Sequence, residues 1–156
     1  MKKMKSEIII TKKFKNHFKG RIITEEALLL DEQTDEIFHI TAQWDCVATR
    51  SVISKELVNR LQLSPNGKYL TNSTTDSEVC DAYDVNLILN EDVNNVFIIN
   101  VTVSNNINNM GIDLLIGMDV IIQGDFAIST YNGETCFSFR VPSKGLIDFK
   151  EQEQEN

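Results

Sequence analysis

Short apolar runs rich in β-branched residues, broken every ten residues or so by turn formers, set the texture of this chain. Ile22-Ile23 and Ala27 to Leu30 open the series, and Ile37 to Trp44 follows. Asp84 to Leu89 half-alternates between polar and apolar, and Val96 to Val103 and Leu114 to Ile116 come next. Phe126 to Ser129 and Cys136 to Val141 form a late pair. Such residues suit a pleated, half-buried surface, so each run predicts a strand. Tyr131-Asn132-Gly133-Glu134 separates the late pair, and Asn-Gly at that place predicts a tight hairpin because both residues tolerate positive φ. Asn90-Glu91-Asp92 predicts a second turn. Many short strands with frequent turns indicate an all-β sandwich or barrel.

Two segments depart from this texture. In Ser54 to Leu61, Leu57, Val58 and Leu61 share one helical face and Ser54 is a natural N-cap, which predicts a short helix stopped by Pro65-Asn66-Gly67. Val120 to Gln123 predicts a second short helix, ended by Gly124. The Asn-rich stretch Asn105 to Asn109 reads as a loop.

Length and charge narrow the classes. The 156 residues, 42% hydrophobic, suit one domain with a working core. The expected division is a basic, solvated N-terminal arm over 1–20, a folded domain over 21–148 and an acidic flexible tail over 149–156. A net charge of −8 argues against nucleic acid as partner, since phosphate binding needs clustered cations. No stretch approaches the roughly 18 apolar residues of a membrane helix. Ile8-Ile9-Ile10 is far shorter than a signal-peptide core of about 7–15 residues. Cys46, Cys80, Cys136, His17 and His39 show no metal-ligand spacing, so neither a metal nor another cofactor is expected. Free thiols fit a cytoplasmic protein.

The chemistry concentrates in Ile40-Thr41-Ala42-Gln43-Trp44-Asp45-Cys46-Val47-Ala48-Thr49-Arg50-Ser51-Val52-Ile53-Ser54. An apolar strand ends in Asp45, and a second apolar run starts at Val52. A carboxylate at the end of a buried strand is costly unless hydrogen-bonded, and by itself it reads as a turn or cap residue. A second segment, Asp113-Leu114-Leu115-Ile116-Gly117-Met118-Asp119-Val120-Ile121, follows about 70 residues later. Together the two resemble the retropepsin-like aspartic proteases of bacterial or phage type. In that family an Asp-Thr-Gly-Ala loop precedes a Ser/Thr-bearing strand, and two hydrophobic residues and a glycine lead into a short helix. The resemblance runs from Ile37 to Val141 and includes Gly124-Asp125-Phe126-Ala127-Ile128.

The resemblance implies an acid-protease barrel and a homodimer. Asp45 is then the catalytic carboxylate, in an active-site loop of Cys46, Val47, Ala48 and Thr49. Its partner is Asp45 of a second copy across a two-fold axis. Two carboxylates so close share one proton: one activates a water, the other polarises the scissile carbonyl of an extended polypeptide. The resemblance also suggests a flap at Asn72, Ser73, Thr74, Thr75 and Asp76, with Val79 and Tyr83 on its returning strand. It places Leu115, Ile116 and Gly117 in the second motif, and Arg50 and Asp119 as an ion pair bracing the dimer. Val47, Ile53, Leu115 and Ile116 are the expected pocket lining. Asp113, Asp119 and Asp125 are expected in turn and helix-end hydrogen bonding, since none precedes a comparable loop.

The loop reads Asp-Cys-Val where the family has Asp-Thr-Gly. Cys46 offers only a weak donor in place of a hydroxyl that would bond across the dimer axis. Val47 is β-branched and stiff where glycine leaves room. A working endopeptidase and a catalytically silent dimeric module that binds peptides or assembles both stay open. An unrelated β-sandwich binding domain is the third reading.

Overall fold

The computed structural model describes residues 7–15, 23–72, 77–91, 93 and 95–152. Among the described residues, ten strands form two sheets. The larger contains β2 (Ile23–Leu30), β3 (Ile37–Trp44), β8 (Leu114–Ile116), β4 (Val52–Ser54), β7 (Val96–Ser104), β6 (Ser77–Ile88) and β5 (Gly67–Asn72), in that spatial order. β6 is 12 residues long, and its far end also pairs with β2, Ile88 opposite Leu28. That extra pairing closes β2-β3-β8-β4-β7-β6 on itself and leaves β5 as an outlying hairpin partner. The smaller sheet is β1 (Ile8–Lys15), β10 (Glu134–Val141) and β9 (Asp125–Tyr131).

The residues explain the arrangement. β10 alternates strictly, with Phe137, Phe139 and Val141 buried and Cys136, Ser138 and Arg140 half-buried. Its aromatic side chains meet Trp44 of the larger sheet, with ring centroids 5.3 Å away for Phe137 and 4.7 Å for Phe139. Phe126 of β9 completes the cluster at 6.0 Å from Trp44. The two sheets are thus joined by tilted rings directly behind the strand that ends in Asp45.

Most predicted elements stand where the pattern put them. The β9–β10 loop has φ of 47° at Asn132 and 77° at Gly133, the backbone that the Asn-Gly pair suits. Asn90 and Glu91 likewise turn with positive φ, 58° and 54°. Helix α1 (Lys55–Arg60) begins at Ser54, whose hydroxyl accepts the Leu57 N–H at 3.1 Å. Helix α2 spans Met118–Ile121, two residues earlier than predicted, and caps at Ile122 rather than Gly124. Gly124 serves packing instead, because a Cβ there would stand 2.2 Å from the Arg140 carbonyl oxygen. The Asn-rich stretch runs into a 3-10 turn, Ile107–Met110.

The basic arm expected over 1–20 is partly a strand. β1 pairs with β10 along its whole length, burying Ile8 and Ile10 while Thr11 and Lys13 face outward. At the other end, α3 (Phe149–Gln152) is one exposed helical turn within the segment expected to be a flexible tail. Among the described residues no helix is long and apolar enough to cross a membrane.

Candidate active site

Three short strands assemble the site. β3 runs parallel to β8, with Trp44 beside Ile116, and β8 runs antiparallel to β4, with Leu115 beside Val52. The chain leaves β3 at Asp45, loops through Cys46 to Arg50 and re-enters the sheet at Val52, on the far side of β8. β8 lies between the two ends of the loop and holds both. The Asp45 N–H donates to the Ile116 carbonyl at 2.9 Å, and the Met118 N–H donates to the Ala48 carbonyl at 2.8 Å.

The side chains of the second segment complete this clamp. Ser51, fully buried, donates through its hydroxyl to Asp119 Oδ1 at 2.7 Å, and its N–H donates to Asp119 Oδ2 at 3.0 Å. The same hydroxyl accepts the Gly117 N–H at 3.0 Å. Gly117 is buried against the loop, and the backbone of Arg50 and Ala48 fills the space a Cβ would need. Asp113 Oδ2 accepts the Thr41 N–H at 2.9 Å, fixing the entry to β8. Asp125 accepts from Arg140, from the Ser143 hydroxyl and from the Lys144 N–H. These donors, Ser143 first, hold the Asp125 carboxyl down at about 2. All three aspartates are thus hydrogen-bonded, Asp119 in the first turn of α2, Asp113 to a residue of β3 and Asp125 to β10 and the loop after it.

Asp45 is half-buried at the end of β3. Its Oδ1 accepts two backbone N–H groups, from Val47 at 2.9 Å and from Ala48 at 3.2 Å. Those donors fix the plane of the carboxylate against its own loop, while Oδ2 accepts no hydrogen bond from any described residue. Val47 sits in this turn without a positive φ, and its side chain is 85% exposed. The valine is accommodated by pointing outward, so the loop closes around Asp45 with no glycine. Cys46 and Thr49 are exposed and Ala48 is half-buried.

Behind the site, Trp44 Nε1 donates to Glu25 Oε1 at 3.0 Å. Glu25 is 6% exposed, and burial raises its carboxyl above the ordinary value, with Lys12 and the Trp44 bond opposing. Neither the pattern nor the resemblance points to this pair. An acidic residue in a buried strand was the available signal.

The expected Arg50–Asp119 ion pair does not form within the chain. Both Asp119 oxygens are taken by Ser51, while the Arg50 side chain turns the other way. Its Nη2 donates to the Asn100 carbonyl at 3.2 Å and to Asn100 Oδ1 at 2.8 Å, and its guanidinium lies 3.8 Å from the Tyr69 ring centroid.

The expected pocket residues divide by strand parity, and the cavity nearest to them is lined by neither Asp45 nor Cys46 to Thr49. Ile53 and Ile116 are fully buried on the core side of the sheet. Val52 and Leu115, half-buried, face the other side, where they border a cavity of about 680 Å³. Thr71, Glu78 and Cys80 of the β5–β6 hairpin and Thr102 of β7 line it too. That hairpin stands where the flap was expected. Asn72 ends β5, and Ser73, Thr74, Thr75 and Asp76 lie outside the described residues. Val79 and Tyr83 both fall on β6, the first exposed and the second buried.

The whole chain can be compared with solved structures. A crystal structure of a retropepsin-like aspartic protease from Rickettsia conorii matches with a TM-score of 0.53, over 86% of this chain and 95% of that one, at 12% identity. The fold is retropepsin-like. The EIAV protease complexed with the inhibitor HBY-793 matches at a TM-score of 0.46 and 14% identity, over 69% of this chain and 91% of that one. No protein-family model matches, and no curated protein matches. The retropepsin-like barrel accounts for the order of the two sequence segments, since β3, β8 and β4 are the strands that carry them.

Proposed function

We propose that this chain is an aspartic endopeptidase that works as a homodimer, in the cytoplasm, on extended polypeptide. The observation that supports it most is the state of Asp45: one oxygen anchored by the Val47 and Ala48 N–H groups, the other without a hydrogen bond from any described residue, on a loop clamped by Ile116, Gly117 and Asp119. A general acid–base group needs such a fixed position and an open lone pair.

In the proposed dimer the second oxygen of Asp45 faces that of Asp45 of the partner subunit, and the pair holds one proton. The ionised carboxylate removes a proton from a bound water as its oxygen bonds to the scissile carbonyl carbon. The protonated carboxyl donates to the carbonyl oxygen, giving a tetrahedral diol. The first carboxyl, now protonated, gives its proton to the amide nitrogen, and the C–N bond breaks as the second carboxylate takes a proton from the diol, releasing an acid and an amine and restoring the shared proton.

The second reading is a silent, dimeric peptide-binding module. Val47 favours it, because a branched side chain 85% exposed beside Asp45 stands where a substrate backbone would approach.

The deciding experiment measures cleavage of an unstructured polypeptide at mildly acidic pH by wild type and Asp45→Asn. Loss of activity on the order of 10²–10⁴-fold in the variant is expected for removal of a general acid–base group. Cleavage that survives in Asp45→Asn rejects the mechanism. A monomer at every concentration in sedimentation rejects the shared pair.

A further inference from the structure

We propose that a second cavity, at the opposite end of β3 from Asp45, is a docking groove for an extended segment of a partner protein that carries apolar side chains between Lys or Arg. Such a groove lies outside the proposed catalysis and does not depend on whether Asp45 cleaves a peptide.

A break in the strand pairing makes the groove. β7 covers one edge of β6 from Ala82 to Ile88. Along the other edge β2 and β5 lie end to end, both antiparallel to β6. β2 ends with Leu30 opposite Asn86, and β5 starts with Gly67 opposite Ala82. Tyr83, Asp84 and Val85 therefore have no strand on that edge, over a gap of about 13 Å, four residue steps of β6. A cavity of about 500 Å³ opens there, bounded by Leu29 and Leu30 of β2, by Asp84 and Val85 of β6 and by Leu63 and Ser64 ahead of β5. Phe38, near the start of β3, lines it too, roughly 20 Å along that strand from Asp45. Neither Asp45 nor any residue of its loop borders it.

The floor is apolar and incompletely covered. Leu29 and Val85 are buried, Phe38, Leu61 and Leu63 are half-buried, and Ile98 is 48% exposed. A large apolar side chain set into the cavity would take part of this surface out of water.

The charged lining has one sign. Asp31 and Asp84 line the cavity, and no Lys, Arg or His among the described residues does. Uncharged donors hold both carboxylates. Asp31 accepts the Gln33 N–H at 2.8 Å and the Thr34 hydroxyl at 3.0 Å. Those bonds, the Gln33 N–H first, keep its carboxyl below the ordinary value, so its charge lasts into mild acid. Asp84 Oδ1 accepts the Asn100 amide at 2.7 Å. The ion pairs among the described residues all lie elsewhere, so neither aspartate is neutralised by one. Cations spaced along the incoming segment complement these charges, and an apolar residue between them complements the floor. An extended segment also offers its backbone to the uncovered stretch of β6, as an added strand does.

The test measures fluorescence anisotropy of a capped peptide that alternates Lys with Leu, beside two controls with Glu in place of Lys and Ser in place of Leu. All proteins carry Asp45→Asn, so that no peptide is cut. They are this parent, Asp31→Asn/Asp84→Asn, Asp84→Lys and a chain lacking residues 1–6. The Lys–Leu peptide should bind the parent about tenfold more tightly than either control. Asp31→Asn/Asp84→Asn keeps an acceptor at each position and should weaken binding roughly three- to tenfold, as expected for two exposed ion pairs. Asp84→Lys should shift the preference toward the Glu peptide, a result that mere loss of stability does not produce. No binding of the Lys–Leu peptide up to about 1 mM overturns the inference. Equal binding by the parent and both aspartate variants puts the peptide elsewhere, the Asp45 cleft included, and overturns it too. Binding that appears only when residues 1–6 are removed gives the groove to the chain's own Lys2, Lys3 and Lys5. A dimer that the peptide dissociates gives it to a second copy. Either result overturns the partner segment as occupant.

Discussion

A Cβ on Gly117 would stand 2.6 Å from the carbonyl carbon of Arg50 and 2.7 Å from its oxygen. The contact is backbone on backbone, so no side chain can rotate away to relieve it. Gly117→Ala must therefore push the loop that carries Asp45 off β8. The expected loss is about 1–3 kcal/mol of folding stability, typical of overpacking. Activity should fall further than stability does, since the displaced element holds Asp45. Urea unfolding and cleavage rates measured together check this, and a variant with wild-type values for both sinks it.

Ser51→Ala removes a hydroxyl that binds Asp119 and receives the Gly117 N–H. The variant leaves the buried Gly117 donor without that acceptor, which costs about 1–3 kcal/mol. The shift should appear as a lower denaturation midpoint with unchanged slope. Equal midpoints in variant and wild type would remove Ser51 from the clamp.

Cys46→Thr/Val47→Gly tests how much the altered loop weakens the proposed dimer and its proposed activity. If the introduced hydroxyls bond across the two-fold axis at about 1 kcal/mol each, dimerisation should tighten roughly thirtyfold. Sedimentation gives the dissociation constant and a peptide assay gives the rate. Wild-type protein that is inert beside an active double variant decides for the silent module.

Glu25 and Asp125 carry opposite pH signatures. Glu25 has its folded carboxyl raised above 4.5, so its contribution to stability is present below about pH 4.5 and declines as pH rises through the folded value. Glu25→Gln keeps an acceptor for Trp44 and should be more stable than wild type at pH 7, with the difference shrinking below pH 4.5. Asp125 runs the other way. Its carboxyl is lowered from 3.8 to about 2, so its contribution is present above pH 3.8 and is lost as pH falls toward 2. Asp125→Asn should be less stable than wild type at neutral pH and converge with it near pH 2. Denaturant titrations at pH 2, 4 and 7 check both signs, and parallel pH curves for wild type and variant reject either.

The strands, the Asn132-Gly133 hairpin and the Ser54 cap were legible in the sequence because each depends on neighbours within a few residues. Asp45 was legible only through the later segment that ends in Gly117. What stayed hidden depends on the register between distant strands. Ile53 looked like a pocket residue and Val52 did not, although one step along the chain exchanges core for cavity. The partners of Arg50 lie on β5 and β7, so no local spacing could choose Asn100 over Asp119. The Glu25–Trp44 bond joins β2 to β3 through the opposing register and leaves only an out-of-place carboxylate as its trace.

The pairing of β1 with β10 has a consequence for how the domain comes into being. β1 is synthesised well before its partner, residues 134–141. Until then Ile8 and Ile10 have no strand to lie against, and a bare edge of this kind invites pairing with other chains. The small sheet must close across nearly the full sequence separation the domain offers, which makes it a slow step. A nascent chain halted before residue 134 should therefore expose this strand to chaperones or to other nascent copies, and emergence of β10 should bury it.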